Sequence, residues 1–176
     1  YGLRRSELLG LQWDSVDFDR GILTIRHTVS KVTAAVEKDK TKNTSSYRSF
    51  PLLPEARDIF LQALADQSAN HRLFGKAYQE NPYVFKWPDG RPFPPDYITH
   101  HFARLLQKHG LPRIRFHELR HSCASLLLSH GFTLKDVQEW LGHSDIKMTA
   151  NVYGHLDVAR KQSIADEMSA LLSGRR

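Results

Sequence analysis

The stretch Phe116-His117-Glu118-Leu119-Arg120-His121 carries the most informative pattern in the sequence. It opens a segment over 116–130 with helical periodicity that stops before Gly131. On a helix His117 and Arg120 lie on one face, so one side chain can exchange a proton while the other binds phosphate. Arginine suits phosphate because its planar guanidinium can contact two oxygens at once. The same stretch also satisfies H-E-x-x-H, a pattern in which two histidines bind zinc.

Downstream of this stretch, Thr133 and Asp136 form a capping-box pattern that predicts the start of another helix. That helix runs into Leu141-Gly142-His143-Ser144. Glycine before His143 lets the backbone turn, so that the imidazole can reach outward and hydrogen-bond a phosphate oxygen. Tyr153 follows ten residues later. A final amphipathic helix is predicted over 157–172.

Upstream, the periodicity predicts a short helix over 4–12 and two strands, at 22–29 and 47–52. Within the helix, Arg4 and Glu7 are spaced i, i+3. Glu7 can therefore hold Arg4 toward a phosphate, although a surface helical ion pair is a common alternative that contributes little. The polar segment between the strands is rich in lysine. These strands predict an antiparallel sheet with a basic hairpin.

The central part of the chain is predicted to be mostly helical. One helix starts at Pro54, which is tolerated in a first turn, and another holds Ile98 and ends near Gly110. A second short hairpin is predicted over 84–90, where Pro88-Asp89-Gly90 forms a turn. We expect an α+β fold that is mainly α, a helical bundle with a small antiparallel β-sheet.

Composition limits the classes of protein that remain. The 176 residues suffice for one domain with a hydrophobic core. The net charge of +6 favours a polyanionic partner such as nucleic acid, although many soluble proteins are mildly basic. With one cysteine, Cys123, no intrachain disulfide or thiolate cluster can form, which fits a reducing compartment. No apolar run approaches the roughly 18 residues of a membrane span, and no signal peptide is visible. We therefore expect a cytoplasmic protein without a membrane partner. Because the first residues already have the pattern of a helix and no initiator Met is present, we also expect a fragment of a longer chain.

Cleavage of DNA without a metal needs a nucleophile, cations that neutralise the transition state, and an acid for the leaving oxygen. Tyr153 is the candidate nucleophile, although most tyrosines only pack and a phenol needs a positive environment to ionise near neutral pH. Arg4 and Arg120 are candidate cations. Lys40 and Lys42, on the basic hairpin, are candidate acids.

These motifs together resemble the tyrosine recombinases, or phage integrase family, and most closely integrases of conjugative transposons and Gram-positive phages. The resemblance covers essentially the whole chain. Gly2-Leu3-Arg4-Arg5-Ser6-Glu7-Leu8 resembles the family's first-arginine motif, and Lys40-Thr41-Lys42 its lysine hairpin. Residues 117–121 resemble the central His-x-x-Arg motif, and residues 141–144 the second-histidine motif. Tyr153 falls where the family has its nucleophile.

The resemblance implies a role for each residue. Tyr153 attacks the scissile phosphate, leaving a 3′-phosphotyrosyl bond and a free 5′ hydroxyl. Arg4 and Arg120 bind the non-bridging oxygens, assisted by His143. Lys40 is the general acid, with Lys42 as the alternative, and His117 assists proton transfer. Because the phosphotyrosine conserves the bond energy, no cofactor, ATP or metal is required.

The resemblance also implies the assembly. The chain 1–176 corresponds to a catalytic domain without the family's N-terminal core-binding and arm-binding domains. Its partner is double-stranded DNA, with a homo-tetramer on two DNA sites when active and a monomer for the fragment alone. The helix over 157–172 packs either on a neighbouring protomer or on its own core. From charge and nearness to the motifs, we expect further backbone contacts from a set of polar residues: Arg5, Thr41, Lys42, Arg48, Arg115 and His121.

Three alternatives have to be weighed against a recombinase that integrates and excises a mobile element. A zinc metalloprotease would explain H-E-x-x-H, but its extended pattern fails at Ala124 and Leu127, and it leaves the other motifs unexplained. A type IB topoisomerase shares the nucleophile, but the Gly-His-Ser motif and the position of the lysine hairpin favour a recombinase. A non-catalytic DNA-binding module has no reason to keep every catalytic side chain.

Overall fold

The computed structural model of the protein describes residues 1–29, 47–142 and 168. The helices in these residues are α1 (Arg5–Leu9), α2 (Pro54–Phe74), α3 (Pro95–Lys108), α4 (Glu118–Ser129) and α5 (Leu134–Leu141). The strands are β1 (Val16–Asp17), β2 (Ile22–Ile25) and β3 (Arg48–Pro51). Short 3₁₀ helices lie at Trp13–Ser15 and Gly75–Ala77. The expected fold class, mainly helical with a small antiparallel sheet, is confirmed.

The sheet has the strand order β1-β2-β3, and both pairings are antiparallel. Ile25 of β2 pairs with Arg48 of β3, and Leu23 pairs with Phe50. Because side chains alternate between the two faces of a strand, Arg48 and Phe50 project from the same face of β3. That face is the buried one, since both residues are buried while Ser49 and Pro51 are exposed.

The sheet packs into the larger of two hydrophobic clusters. This first cluster consists of seven buried residues: Leu11, Val16, Leu23, Ile25, Phe50, Phe60 and Val84. The second lies between α4 and α5 and is made by Ala124, Leu128, Val137 and Leu141. Trp140 packs against both clusters, and its ring meets that of Phe50 edge-on with centroids 4.8 Å apart. α5 is therefore attached to the sheet as well as to α4.

Several elements differ in extent from the sequence prediction. The helix predicted over 4–12 ends at Leu9, with Gly10 as its C-cap. Gly10 lies so close to the backbone of His27 and Thr28 that a Cβ there would be 2.8 Å from the His27 carbonyl oxygen. The strand predicted over 22–29 ends at Ile25. The hairpin predicted over 84–90 contains a tight turn, but its pairing is the isolated bridge Lys86–Pro92, since prolines cannot donate to a ladder.

Other predictions hold within one turn of a helix. The predicted capping box is present: the Thr133 hydroxyl accepts from the Asp136 amide at 3.1 Å, and the Asp136 carboxylate accepts from the Thr133 amide at 2.7 Å. α3 begins three residues before Ile98, at Pro95, and α2 begins at Pro54 as predicted. Of the helix predicted over 157–172, only Met168 is described, and it is helical. No helix in the described part of the chain combines the length and hydropathy that crossing a membrane requires.

Candidate active site

Arg4 and Glu7 form a tightly coupled pair at the start of α1. The Arg4 guanidinium donates to Glu7 Oε1 at 2.7 Å, and the Arg4 backbone amide donates to Oε2 at 2.8 Å. The Glu7 side chain is only 1% exposed, whereas that of Arg4 is 32% exposed. The pair is therefore no ordinary surface ion pair: a buried carboxylate holds an arginine whose outer edge reaches solvent.

Arg48 approaches the same carboxylate from β3. Its two terminal nitrogens donate to Glu7 Oε1 and Oε2 at 3.0 and 2.9 Å, and its Nε donates to the Trp140 carbonyl at 3.2 Å. The Arg48 side chain is 7% exposed. The sequence led us to expect a DNA phosphate contact from Arg48, but the structure places its guanidinium inside the domain. The alternation with Phe50 on β3 is the sequence signal that could have predicted this burial.

Burial raises the pKa of Glu7, but the hydrogen bonds and positive charge of Arg48, together with those of Arg4, outweigh it and leave the pKa below its ordinary value. Glu7 is therefore ionised at neutral pH. A carboxylate that is held in this way fixes the orientation of both guanidinium groups.

Arg120 is the most deeply buried of the arginines at this site. Its side chain, on the first turn of α4, belongs to a residue only 2% exposed. It donates to the Gly2 carbonyl at 2.7 Å and to the Leu141 carbonyl. Burial, reinforced by the positive charge of Arg4, lowers the pKa of Arg120 to about 10, so the group remains charged at neutral pH.

These arginines meet at the C-terminal end of α5. Arg48 donates to the carbonyl of Trp140, Arg120 to that of Leu141, and Arg4 to that of Gly142 at 3.0 Å. The last carbonyls of a helix lack partners within the helix and carry partial negative charge, so they suit cations. Gly142 ends α5 with φ 66° and ψ 51°, the left-handed conformation that glycine adopts without strain. His143 is the next residue in the chain.

His117 lies at the edge of this cluster, at the N-cap of α4. Partial burial lowers its pKa, and the neighbouring His121, Arg120, Arg4 and Arg115 lower it further. Its imidazole is therefore mainly neutral at neutral pH and can accept a proton. The rings of His117 and His121 are 5.2 Å apart and nearly perpendicular.

The surroundings of these histidines do not suit a zinc site, which the H-E-x-x-H pattern would predict. Glu118, which a metalloprotease would need as a base, accepts from the Arg115 backbone amide and from its Nε at 3.0 Å. These hydrogen bonds lower the pKa of Glu118. The positive groups that lower the pKa of His117 also disfavour a divalent cation beside it.

The remaining expected site residues fall into two groups. Arg5 points toward α3, where it donates to the Thr99 hydroxyl at 2.8 Å and lies 3.6 Å from Asp96. Five lie outside the described residues: Lys40, Thr41, Lys42, His143 and Tyr153. The structure thus brings together Arg4, Glu7, Arg120 and His117, and adds Arg48 in an unexpected position.

Comparison with known proteins gives a consistent result. The model of the phage integrase family matches residues 1–160. The chain is 32% identical over 185 residues to a tyrosine recombinase XerC-like protein of Caldanaerobacter subterraneus subsp. tengcongensis, covering 97% of the chain and 46% of that protein. It is 29% identical over 163 residues to the transposase of transposon Tn916 from Enterococcus faecalis, covering 88% of the chain and 39% of that protein.

Solved structures give the same picture. The Tn1549 transposon integrase in complex with circular intermediate DNA superimposes with a TM-score of 0.78 at 25% identity, covering 95% of this chain and 56% of that one. XerA recombinase superimposes with a TM-score of 0.66 at 21% identity, covering 95% of this chain and 53% of that one, which supports the fold alone. The chain spans about half the length of the curated relatives it matches.

Proposed function

The chain belongs to the phage integrase family, and from that premise we propose that it is the catalytic domain of a site-specific DNA recombinase. In this proposal it cuts and rejoins DNA through a 3′-phosphotyrosyl intermediate on Tyr153, for the integration and excision of a mobile element. The observation that carries the proposal is the convergence of Arg4 and Arg120 on the end of α5, directly before His143.

Charge is the reason this cluster fits phosphoryl transfer. Attack on a phosphodiester develops negative charge on the non-bridging oxygens, which cations held in place in advance stabilise best. Arg4 and Arg120 are fixed by Glu7 and by backbone carbonyls, so they need little reorganisation when a phosphate arrives. The partly exposed edge of Arg4 provides the access, and Arg120 lies behind it in a buried environment where its charge acts strongly.

Proton transfer is assigned to the remaining motif residues. The lowered pKa of His117 supports a role in accepting the proton of Tyr153 and returning it during rejoining. Lys40 is proposed as the acid that protonates the leaving 5′ oxygen, with Lys42 as the alternative, and His143 as a further phosphate ligand. These roles require neither a metal nor a cofactor.

The proposed substrate is double-stranded DNA, in keeping with the net charge of +6 and with the DNA-bound structures of the Tn1549 integrase. Arg5, Thr41, Lys42, Arg115 and His121 are proposed to contact its backbone. The complete protein would act as a homo-tetramer on two DNA sites in the bacterial cytoplasm, whereas residues 1–176 alone would be monomeric and correspond to the catalytic domain.

The test is a search for covalent protein–DNA adducts. The protein, with any N-terminal region that its gene encodes, is incubated with supercoiled DNA carrying the parent element's ends in EDTA, and the reaction is stopped with SDS. We expect adducts with the wild type and none with Tyr153→Phe. Equal adducts from both proteins would exclude Tyr153 as the nucleophile. Relaxation of supercoiled DNA without site preference would indicate a type IB topoisomerase instead, and no adduct from either protein would refute the proposal.

A further inference from the structure

We infer that Arg48 is a positioning residue of the proposed recombination reaction and does not itself touch DNA. Arg48 orients Arg4 through Glu7, and it orients the chain before His143 through the Trp140 carbonyl. The inference rests on the proposed function, because it concerns how the same site is held. It replaces the phosphate contact that the charge of Arg48 suggests with a role inside the domain.

The contacts of Glu7 show how Arg48 reaches Arg4. Glu7 Oε1 accepts from the guanidinium groups of both Arg4 and Arg48, and Glu7 Oε2 accepts from the Arg4 amide and from Arg48. Each carboxylate oxygen is thus shared between the two arginines. The two-pronged contact from Arg48 fixes the plane of the carboxylate, and that plane determines where the Arg4 guanidinium lies.

The charge balance gives Arg48 a second effect. The guanidinium groups of Arg4 and Arg48 contact the carboxylate of Glu7, and the charge of Arg120 also interacts with it. Without Arg48, the negative charge of Glu7 would be compensated by Arg4 and Arg120 alone, and these two arginines would stabilise the charge that develops during cleavage less well. Arg48 therefore lets Glu7 hold Arg4 in place while the cluster keeps a positive excess.

The hydrogen bond from Arg48 to α5 extends its positioning effect to the chain that precedes His143. Arg48 Nε donates to the carbonyl of Trp140, two residues before Gly142 and three before His143. β3, which carries Arg48, continues directly from the segment that contains Lys40 and Lys42. Only a planar group with several donors can reach two carboxylate oxygens and a carbonyl at once, so lysine cannot replace it fully.

Arg57 offers a matched control. It is an exposed arginine on α2 that donates to the Phe18 carbonyl at 2.8 Å and lies 5.4 Å from the Phe18 ring centroid. Arg48 likewise lies 5.4 Å from the ring centroid of Phe50. Arg57→Gln therefore removes one positive charge, one carbonyl contact and one ring contact, but no contact with Glu7 or α5.

The first measurement is DNA binding at several salt concentrations, in the Tyr153→Phe background so that DNA stays intact. A phosphate contact would make Arg48→Gln lower the slope of log affinity against log salt by about one. We expect that slope to match the Arg57→Gln control. A slope lowered by about one would overturn the inference, whether or not the protein cleaves DNA.

The second measurement is single-turnover cleavage of saturating duplex at a site mapped by the adduct experiment. Misplacing a catalytic group by about 1 Å costs on the order of 100-fold in rate. We expect Arg48→Gln to cleave about 100-fold more slowly than the wild type, Arg48→Lys to lie between the two, and Arg57→Gln to match the wild type. An unchanged rate for Arg48→Gln would overturn the inference while leaving the proposed function intact.

A modified substrate separates positioning from general damage to the fold. A methylphosphonate at the scissile position lacks the negative charge that Arg4 and Arg120 neutralise, so the defect of an Arg48 variant should shrink by roughly 10-fold or more on it. Equal defects on both substrates, in Arg48→Gln and in Arg48→Lys, would indicate a merely structural role and overturn the inference. If Arg48→Gln fails to fold, both the DNA-binding and the cleavage measurements are made on Arg48→Lys. A wild type that forms no adduct refutes the proposed function and this inference together.

Discussion

Replacing Glu7 with glutamine tests whether the buried carboxylate holds the site together. Glu7→Gln preserves shape but converts one of the two carboxylate oxygens into an NH₂ group. In either orientation of the amide, two of the four donors from Arg4 and Arg48 then face another donor. The side chain is 1% exposed, so water cannot easily replace the lost contacts.

The magnitude follows from these contacts. A hydrogen bond to a charged group contributes about 1.5–3 kcal/mol, and breaking a buried ion pair from one side costs about 3–5 kcal/mol. Arg4 is partly exposed and recovers some solvation, so we expect the free energy of unfolding to fall by about 3–4 kcal/mol. For a chain of 176 residues that corresponds to a Tm lower by about 6–16 °C.

The assay is urea denaturation followed by circular dichroism and tryptophan fluorescence at pH 7. Glu139→Gln is the matched control, because Glu139 pairs with Lys135 at 3.2 Å on the surface of α5 and its side chain is 67% exposed. Such a pair contributes about 0.3–0.5 kcal/mol. If Glu7→Gln lost no more stability than Glu139→Gln, the argument that a buried carboxylate organises these arginines would be wrong.

Two further predictions concern the same cluster. Because folding lowers the pKa of Glu7, its stabilisation is fully present above the unfolded pKa of about 4.3 and is lost as pH falls through the folded pKa. The difference in unfolding free energy between wild type and Glu7→Gln should therefore shrink below about pH 4, and a difference independent of pH would contradict this origin. Gly142→Ala should cost about 1–2 kcal/mol because φ is 66°, and Gly142→Asn should cost less because asparagine tolerates that conformation. Thermal unfolding of both variants measures this, and equal losses would argue against backbone strain as the cause.

The elements with local signals were predictable from the sequence. The capping box at Thr133 and Asp136 depends on residues three apart, so it can be recognised without knowledge of the fold. The same holds for β2, where the apolar Leu23 and Ile25 alternate with the polar Thr24. The pairing of Arg4 with Glu7 followed from their spacing on one helix, although only the structure shows that Glu7 is buried.

The structural features that the sequence did not predict depend on contacts between distant segments of the chain. Gly10, directly after the end of α1, lies close to the backbone of His27, and no pattern within residues 4–12 indicates this contact. The contact of Arg48 with Glu7 also joins distant segments, although the alternation of Arg48 with Phe50 is a local signal of its burial. Its charge and its place beside a basic hairpin indicate an exposed residue, but pairing with Ile25 in the sheet turns its side chain toward Glu7.

The end of α5 explains why the site can be assembled from such distant segments. Arginines from the N-terminal segment, β3 and α4 all need acceptors that stay fixed relative to one another. Consecutive carbonyls at a helix end meet that need, because the helix itself sets their spacing and leaves them without partners. A side-chain acceptor would have to be ordered at an entropic cost, whereas these carbonyls are already ordered by Val137 and Leu141 in the core. His143 follows this helix end directly in the sequence. A single helix end thus supplies the acceptors for all three arginines of the proposed active site.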